Sequence, residues 1–488
     1  MSESRLAADE PCRLIASIGG ETDLLASALS GVDCRADWVE VRLDQVPKEA
    51  VPSLVTASSL PVVATCRRRQ DGGKFDGDEG ERGSRLEAAS RSGAAWIDLE
   101  WGSDLARQPQ RFSPARIILS WHDFNGTPRD LETRLQAMRT VPGISLFKVV
   151  PTARSLLDLV VVRDVLRNTS DLIAFSMGVP GLASRVLAPV WGSRAVYAAG
   201  AEQATAPGQQ SAGALLDLYH FRSLGPRTRV TGLLGSPLGH SLSPRLHNEA
   251  FAALGLDWAY VPFESESVDD LRDFMIALEI SGVSVTIPHK ERVLSHLDDV
   301  EPLVRDLGAA NTIVRNGGRL RGHNTDAEAA LAPLRRRTSL QGKKVALLGA
   351  GGAARVFAFM LPREGCTVRV YNRTEERAKT LAGEAGIAWG RWKDLAADPY
   401  DLLIQTTPVG MHPRVQEVPI PQQWLRGSLI YDIIYNPAET ALLRAARSKG
   451  IETLDGVEMF VAQAAAQFEL FTGVNAPLET MDRVVRSV

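Results

Sequence analysis

Cysteine is scarce in this 488-residue chain: Cys12, Cys34, Cys66 and Cys366 stand far apart and never form a CxxC pair. Such spacing suits neither a disulfide framework nor a zinc site, so no metal is expected and a reducing compartment fits. An excess of one charge is also missing. Lys plus Arg total 55 against 58 Asp plus Glu, a net charge of -3, which provides no field for nucleic acid or an anionic membrane and leaves small molecules as partners. No apolar run approaches the roughly 20 residues that span a bilayer. The opening MSESRLAADE lacks a basic region followed by an apolar stretch, so a soluble, cytoplasmic, unprocessed protein is expected. What the chain has is length, enough for two or three domains.

Short runs rich in Val, Ile and Leu recur, separated by helix-compatible segments. Eight read as strands: RLIASIG from Arg13, WVEVRLD from Trp38, PVVATCR from Pro61, AAWIDLE from Ala94, ARIILSWHD from Ala115, SLFKVV from Ser145, LIAFSMG from Leu172 and RAVYAA from Arg194. Eight βα units of about 26 residues suggest a closed parallel barrel, with an open doubly wound sheet as the competing architecture. Glu40, Arg42, Arg67, His122 and Lys148 lie within or at the ends of these apolar strands. Taken singly, each reads as a buried ion pair. Five together imply mutual pairing or a polar ligand, because an unpaired buried charge costs several kcal/mol.

VEVRLD (39–44), SWHDFNGTP (120–128), LFKVVPTARS (146–155), FSMGVPGLASR (175–185) and ATAPGQQS (204–211) occur in that order and resemble the type I dehydroquinate dehydratases over residues 12–222. The resemblance implies that Lys148 forms an imine with a substrate ketone and that His122 is the general acid/base. It also implies substrate contacts from Glu40, Arg42, Arg67, Asp71, Arg185, Thr205 and Gln209. The residue types suit this chemistry. A protonated imine acidifies the neighbouring C–H far more than a ketone does, and histidine, with a pKa of about 6.5, can take a proton and return one. Arg42, Arg67 and Arg185 are expected to keep Lys148 neutral by charge repulsion, and Arg185 to pair with a substrate carboxylate. One position departs from the family: Asp71-Gly72-Gly73 stands where Glu-Gly-Gly is usual.

A helix from Ser211 to about Leu224 is expected to end at Gly225-Pro226, before a fresh strand, VTGLLG. In GSPLGHSLSPRLHNEAF, Ser243 reads as an N-cap with Pro244 at the first helical position, and Ser241 and Ser243 beside free N–H groups suit a carboxylate. VTIPHK, AANT and NTD follow. Together with GSPLGHSLSP they resemble the substrate domain of shikimate dehydrogenases. The resemblance implies a catalytic pair, Lys290 and Asp326, with substrate contacts from Ser241, Ser243, Ser284 (often Asn in the family), Thr286, Asn311, Tyr435 and Gln463. The remaining apolar positions of the terminal helix read as core.

GKKVALLGAGGAARV is a strand, a glycine turn and a helix start, with Gly349, Gly351 and Ala354 at the small positions. The acid that holds an NAD ribose belongs about 20 residues further on. Asn372-Arg373-Thr374 stands there instead, with Arg377 on the face of Arg373 if a helix has begun. Two guanidinium groups suit a 2′-phosphate, so NADP is expected. Gly349, Ala350, Gly351, Gly352, Ala353, Asn372, Arg373, Thr374, Arg377, Thr406 and Gly456 form the expected cofactor site.

The expected architecture is α/β: an N-terminal (β/α)8 TIM-type barrel (12–222), then a two-lobed dehydrogenase. Its substrate domain spans 228–331, completed by 457–488, and a Rossmann NADP-binding domain spans 332–456. The resemblances imply dehydration of 3-dehydroquinate to 3-dehydroshikimate, then reduction to shikimate with NADPH. Two rivals remain: an NAD-dependent quinate/shikimate dehydrogenase, disfavoured by Arg373 and Arg377, and a non-catalytic ligand-sensing regulator, disfavoured by the presence of Lys148, His122, Lys290 and Asp326 together.

Overall fold

The computed structural model describes residues 11–32, 35–167, 169–200, 209–239 and 241–487. Thr205 and Cys34 lie outside the described residues. The eight expected strands are present as β1 (Arg13–Ile18), β2 (Trp38–Arg42), β3 (Val62–Thr65), β4 (Trp96–Glu100), β5 (Arg116–His122), β6 (Leu146–Val150), β7 (Leu172–Ala174) and β8 (Ala195–Ala199). Every residue of β3, β4, β6 and β8 is buried, as parallel strands covered on both faces require.

The strand order is β7-β6-β5-β4-β3-β2-β1-β8, with β1 parallel to both β2 and β8. Across the remaining seam, Arg194 N donates to Leu172 O at 2.9 Å. The sheet therefore curls into a nearly closed barrel, not an open doubly wound sheet. The expected helix from Ser211 to Leu224 is instead broken into a wide turn, Ala214–Leu218, and a 3-10 turn, Phe221–Ser223. His220 between them adopts φ 49°, a left-handed conformation that a right-handed helix cannot continue through.

In the second half β9 (Arg229–Gly235) pairs in parallel with β10 (Trp258–Glu264). Glycine is required at 232, where an added Cβ would lie 2.1 Å from Val261 O. Then come β11 (Gly282–Val285), β12 (Asp299–Val300), β13 (Thr312–Asn316) and β14 (Arg319–His323). β13 is antiparallel to β11 and β14, and β12 is parallel to β14. A second parallel sheet comprises β15 (Lys344–Leu348), β16 (Thr367–Tyr371), β17 (Ala388–Gly390), β18 (Leu402–Gln405), β19 (Leu429–Asp432) and β20 (Glu452–Leu454), in the order β17-β16-β15-β18-β19-β20. Its alternating side chains feed two apolar layers, Val345 and Leu347 into one and Ala346 and Leu348 into the other. The order reverses between β15 and β18, the position where open α/β sheets bind ligands at their carboxyl ends.

The chain divides into two compact units, Met1–Gly239 with Asp257–Ser281, and His240–Leu256 with Gly282–Val488. The β9–β10 pair thus belongs to the barrel's unit, although in sequence it begins the second half. The helix Leu182–Trp191 packs on β10, and Arg163 Nη1 donates to Ala277 O at 2.6 Å. Among the described residues no helix is long and apolar enough to cross a membrane.

Candidate active sites

Register sets the barrel site. Ser120 of β5 pairs with Lys148 of β6, and His122 lies two residues beyond Ser120, so all three share one face. Likewise Ser17 pairs with Glu40, and Asp98 with Thr65. Glu40 accepts from Ser17 Oγ and, at 2.8 Å, from Thr65 Oγ1. Asp98 is shared: Oδ1 takes Arg67 Nη2 at 2.9 Å and Ser120 Oγ at 2.6 Å, while Oδ2 takes Lys148 Nζ at 3.2 Å. Arg67 also meets Glu100 at 3.4 Å. Arg42 is held by Asp44 at 2.5 Å.

Electrostatics follow from this packing. Burial pulls the Lys148 ammonium below its ordinary range, while Asp98 and Glu40 oppose that shift. Repulsion by three arginines was the expected cause; Arg67 does lower it, but less than burial does, while Arg42 is paired with Asp44 and Arg185 lies against Tyr197 O and the Phe175 ring. The His122 imidazole is held well below its ordinary value, first by desolvation and then by repulsion from Arg67 and Lys148. It is therefore an unprotonated base at neutral pH, not a group titrating near 6.5. Asp98 is held well below the carboxylate range by Arg67 and Lys148, which outweigh its burial.

Arg185, fully buried, donates from Nη1 to Tyr197 O at 3.0 Å and lies over the Phe175 ring. Burial brings its pKa down to about 10, and its Nε has no partner among the described residues. Asp71 accepts from Arg68 Nε at 2.7 Å. Gln209 immediately precedes Gln210, whose carbonyl receives Ala199 N of β8 at 2.7 Å. Asp98, Ser120 and Tyr197 were not singled out in sequence. Asp98 carried the same signal as Glu40, a carboxylate inside an otherwise apolar strand.

In the second half Lys290 Nζ donates to Asp326 Oδ2 at 2.6 Å. Asp326 opens the helix Asp326–Arg337, and the preceding loop is tied down by Asn311, whose Oδ1 accepts Thr325 N at 2.8 Å and whose Nδ2 donates to Thr325 Oγ1 at 2.9 Å. Ser284 is buried and donates to Gln467 Oε1 at 2.8 Å, while Gln467 Nε2 donates to Asn311 O and Thr312 Oγ1. Gln467, not singled out in sequence, is thus a polar strut one helical turn beyond Gln463. Gln463 Nε2 donates to Phe460 O at 3.1 Å, and Tyr435 stacks on the Phe460 ring at 4.0 Å. Thr286 is partly exposed beyond β11. The helix Ser243–Ala253 starts one residue earlier than expected, with Leu242 at the cap position; Ser243 is its first residue and Ser241 Oγ accepts Ser243 N at 3.3 Å.

The glycine turn fits a dinucleotide. Gly349 has φ 110°, and an added Cβ would lie 2.5 Å from Thr406 Oγ1, which itself donates to Leu348 O at 2.6 Å. At Gly351 and Gly352 an added Cβ meets open space, so glycine there leaves backbone N–H groups bare at the start of the helix Gly352–Met360, which Ala353 continues after Ala350 in the turn. Arg373 and Arg377 are exposed, and neither meets a carboxylate among the described residues. Their helix begins only at Glu375, with Thr374 at the cap and Asn372 Nδ2 donating to Thr374 O at 2.9 Å. Arg373 therefore precedes the helix, and a shared helical face does not bring the arginines together. Gly456 is a packing glycine: a Cβ there would lie 2.1 Å from Ile433 O.

Fold and sites define a two-part enzyme class, a barrel lyase built around a buried lysine, followed by a dinucleotide-dependent oxidoreductase with a separate substrate lobe. Residues 18–226 match the family model for type I 3-dehydroquinase, 233–313 the shikimate dehydrogenase substrate binding domain, 331–408 shikimate / quinate 5-dehydrogenase and 456–486 the shikimate 5'-dehydrogenase C-terminal domain. A chloroplastic bifunctional 3-dehydroquinate dehydratase/shikimate dehydrogenase of Arabidopsis thaliana is 36% identical over 91% of this chain and 79% of its own length. An NADP(+) shikimate dehydrogenase of Methanothermobacter thermautotrophicus is 40% identical over 54% of this chain and 97% of its own length. A solved shikimate dehydrogenase in complex with NADP+ superposes with a TM-score of 0.51 at 35% identity, covering 54% of this chain and 96% of the other. The chain belongs to the family of bifunctional 3-dehydroquinate dehydratase/shikimate dehydrogenases, and it is an enzyme with both activities.

Proposed function

We propose that the barrel dehydrates 3-dehydroquinate through an imine on Lys148 and that the second half reduces the resulting 3-dehydroshikimate to shikimate with NADPH. The observation that carries this reading is the burial of Lys148 on the same barrel face as His122, with Asp98 at 3.2 Å as its counter-ion. Burial favours the neutral amine that can attack a ketone. The unprotonated His122 then removes the proton beside the iminium and returns one to the departing hydroxyl. Glu40, Arg42, Arg67, Asp71, Thr205 and Gln209 hold substrate hydroxyls, and Arg185, whose Nε has no partner among the described residues, takes the carboxylate.

In the second half Lys290 and Asp326 orient the ketone and manage its proton as a coupled pair. Ser241, Ser243, Ser284, Thr286, Asn311, Tyr435 and Gln463 shape the pocket. NADPH, when bound, supplies the hydride; the turn 349–353 with Thr406 and Gly456 receives it, and Asn372, Arg373, Thr374 and Arg377 face its 2′-phosphate. Support for NADPH over NADH comes from two exposed arginines that meet no carboxylate among the described residues, where an acid would hold an NAD ribose.

We place the domain boundaries at 12–222, 228–331 with 457–488, and 332–456. The family-model edges at 226, 233 and 331 lie near these boundaries. A cytoplasmic location is supported by the cysteines: Cys12, Cys66 and Cys366 are free thiols.

Borohydride reduction in the presence of dehydroquinate, followed by peptide mass mapping, tests the barrel chemistry. The adduct is expected on Lys148. A modified lysine elsewhere, or no adduct alongside good turnover, overturns the assignment.

A further inference from the structure

Tyr197 belongs to none of the motifs, yet it stands at the nucleophile. It is the third residue of β8, is 4% exposed, and has Lys148 Nζ 3.8 Å from its ring centroid. Its hydroxyl is buried with no hydrogen-bond partner among the described residues. Burial, and secondarily the carboxylates of Asp98 and Glu40, push the phenol well above its ordinary value, so it remains a hydrogen-bond donor. Its backbone carbonyl holds Arg185, whose Nε is likewise buried and unpartnered. Such orphaned donors are costly unless a ligand oxygen takes them.

We propose that Tyr197 is a further catalytic residue of the dehydratase, its ring face stabilising the cationic nitrogen on Lys148 and its hydroxyl donating to a substrate oxygen in the same mouth. This rests on the imine reading. When the neutral Nζ bonds to the ketone carbon, the C–O bond breaks. The oxygen leaves as water with one proton from Nζ and one taken up from solvent and relayed by His122. The nitrogen is then an iminium, positively charged over the face of an aromatic ring, an attraction that is strongest in a desolvated site. Loss of the adjacent C–H proton to His122 neutralises it to the enamine. The ring therefore favours the charged intermediate over the free amine and the ketone. By the same attraction it partly offsets the effect of burial on the lysine.

Two variants of the full chain separate ring from hydroxyl, with reduction of 3-dehydroshikimate as the control that the protein is folded. Tyr197→Phe keeps the ring: the pH midpoint for borohydride trapping on Lys148 is expected to stay, while kcat/KM for dehydroquinate falls about tenfold. Tyr197→Leu removes the ring: the trapping midpoint is expected to move to lower pH, and the trapped fraction at saturating substrate to fall roughly 5- to 30-fold. An unchanged kcat/KM in Tyr197→Phe overturns the hydroxyl's role, and an unmoved midpoint in Tyr197→Leu overturns the ring's. Absence of a Lys148 adduct in the unaltered protein overturns the imine reading itself. An adduct there with both variants indistinguishable from it overturns only the role of Tyr197.

Discussion

Asp98 and Lys148 form a buried ion pair, Oδ2 to Nζ at 3.2 Å, in which the carboxylate gives its other oxygen to Arg67. The pair opposes the effect of burial on the lysine. Removing one partner of such a pair leaves the other charge uncompensated. Asp98→Asn is therefore expected to destabilise the barrel by about 3 kcal/mol and to shift the pH midpoint of borohydride trapping downward. Chemical denaturation and a trapping pH profile measure the two effects. An unmoved midpoint would show that the carboxylate does not act on the nucleophile.

Lys148→Ala is expected to abolish dehydration while leaving dehydroshikimate reduction within about twofold, the range usual for independent, distant sites. Separate assays of the two steps on one preparation decide this. Loss of both activities would mean that the halves do not function independently.

Arg373 and Arg377 are the groups proposed to recognise a 2′-phosphate. Charge-assisted hydrogen bonds contribute about 1.5–3 kcal/mol each. Replacing either arginine by Ala should accordingly raise KM for NADPH by roughly 10- to 100-fold and leave KM for NADH nearly unchanged. Equal changes for both cofactors would remove the basis for choosing NADP.

Asp432, at the end of β19, is wholly buried and accepts from Thr440 Oγ1 at 2.7 Å and Ile434 N at 3.2 Å. Burial outweighs these bonds and pushes its carboxyl up to about 7 from 3.8. Between those values the folded chain holds a proton that the unfolded chain releases, so this contribution to stability is full below 3.8 and is lost as pH rises through 7. Thermal melts of Asp432→Asn should show a flatter dependence across that window than the unaltered chain. Identical slopes would place the group's titration elsewhere.

Much of this protein was legible as local pattern. Eight apolar runs specified eight parallel strands because a strand covered on both faces must be apolar throughout. Glu40, Arg67, His122 and Lys148 stood out because they interrupt such runs. Gly349 was readable for a similar reason, since a positive φ beside Thr406 admits only glycine there. Partnership was not legible. Asp98 carried the same strand signal as Glu40, but only the register of β3, β4, β5 and β6 brings it between Arg67 and Lys148. Gln467 was passed over in a mostly apolar helix, and only tertiary packing sets it against Ser284, Thr312 and Asn311. The fall in the His122 and Lys148 pKa values also arises from burial among particular neighbours. Residue type and spacing are properties of a short stretch, whereas desolvation and charge pairing depend on distances between segments that only the closed barrel and the packed lobes establish.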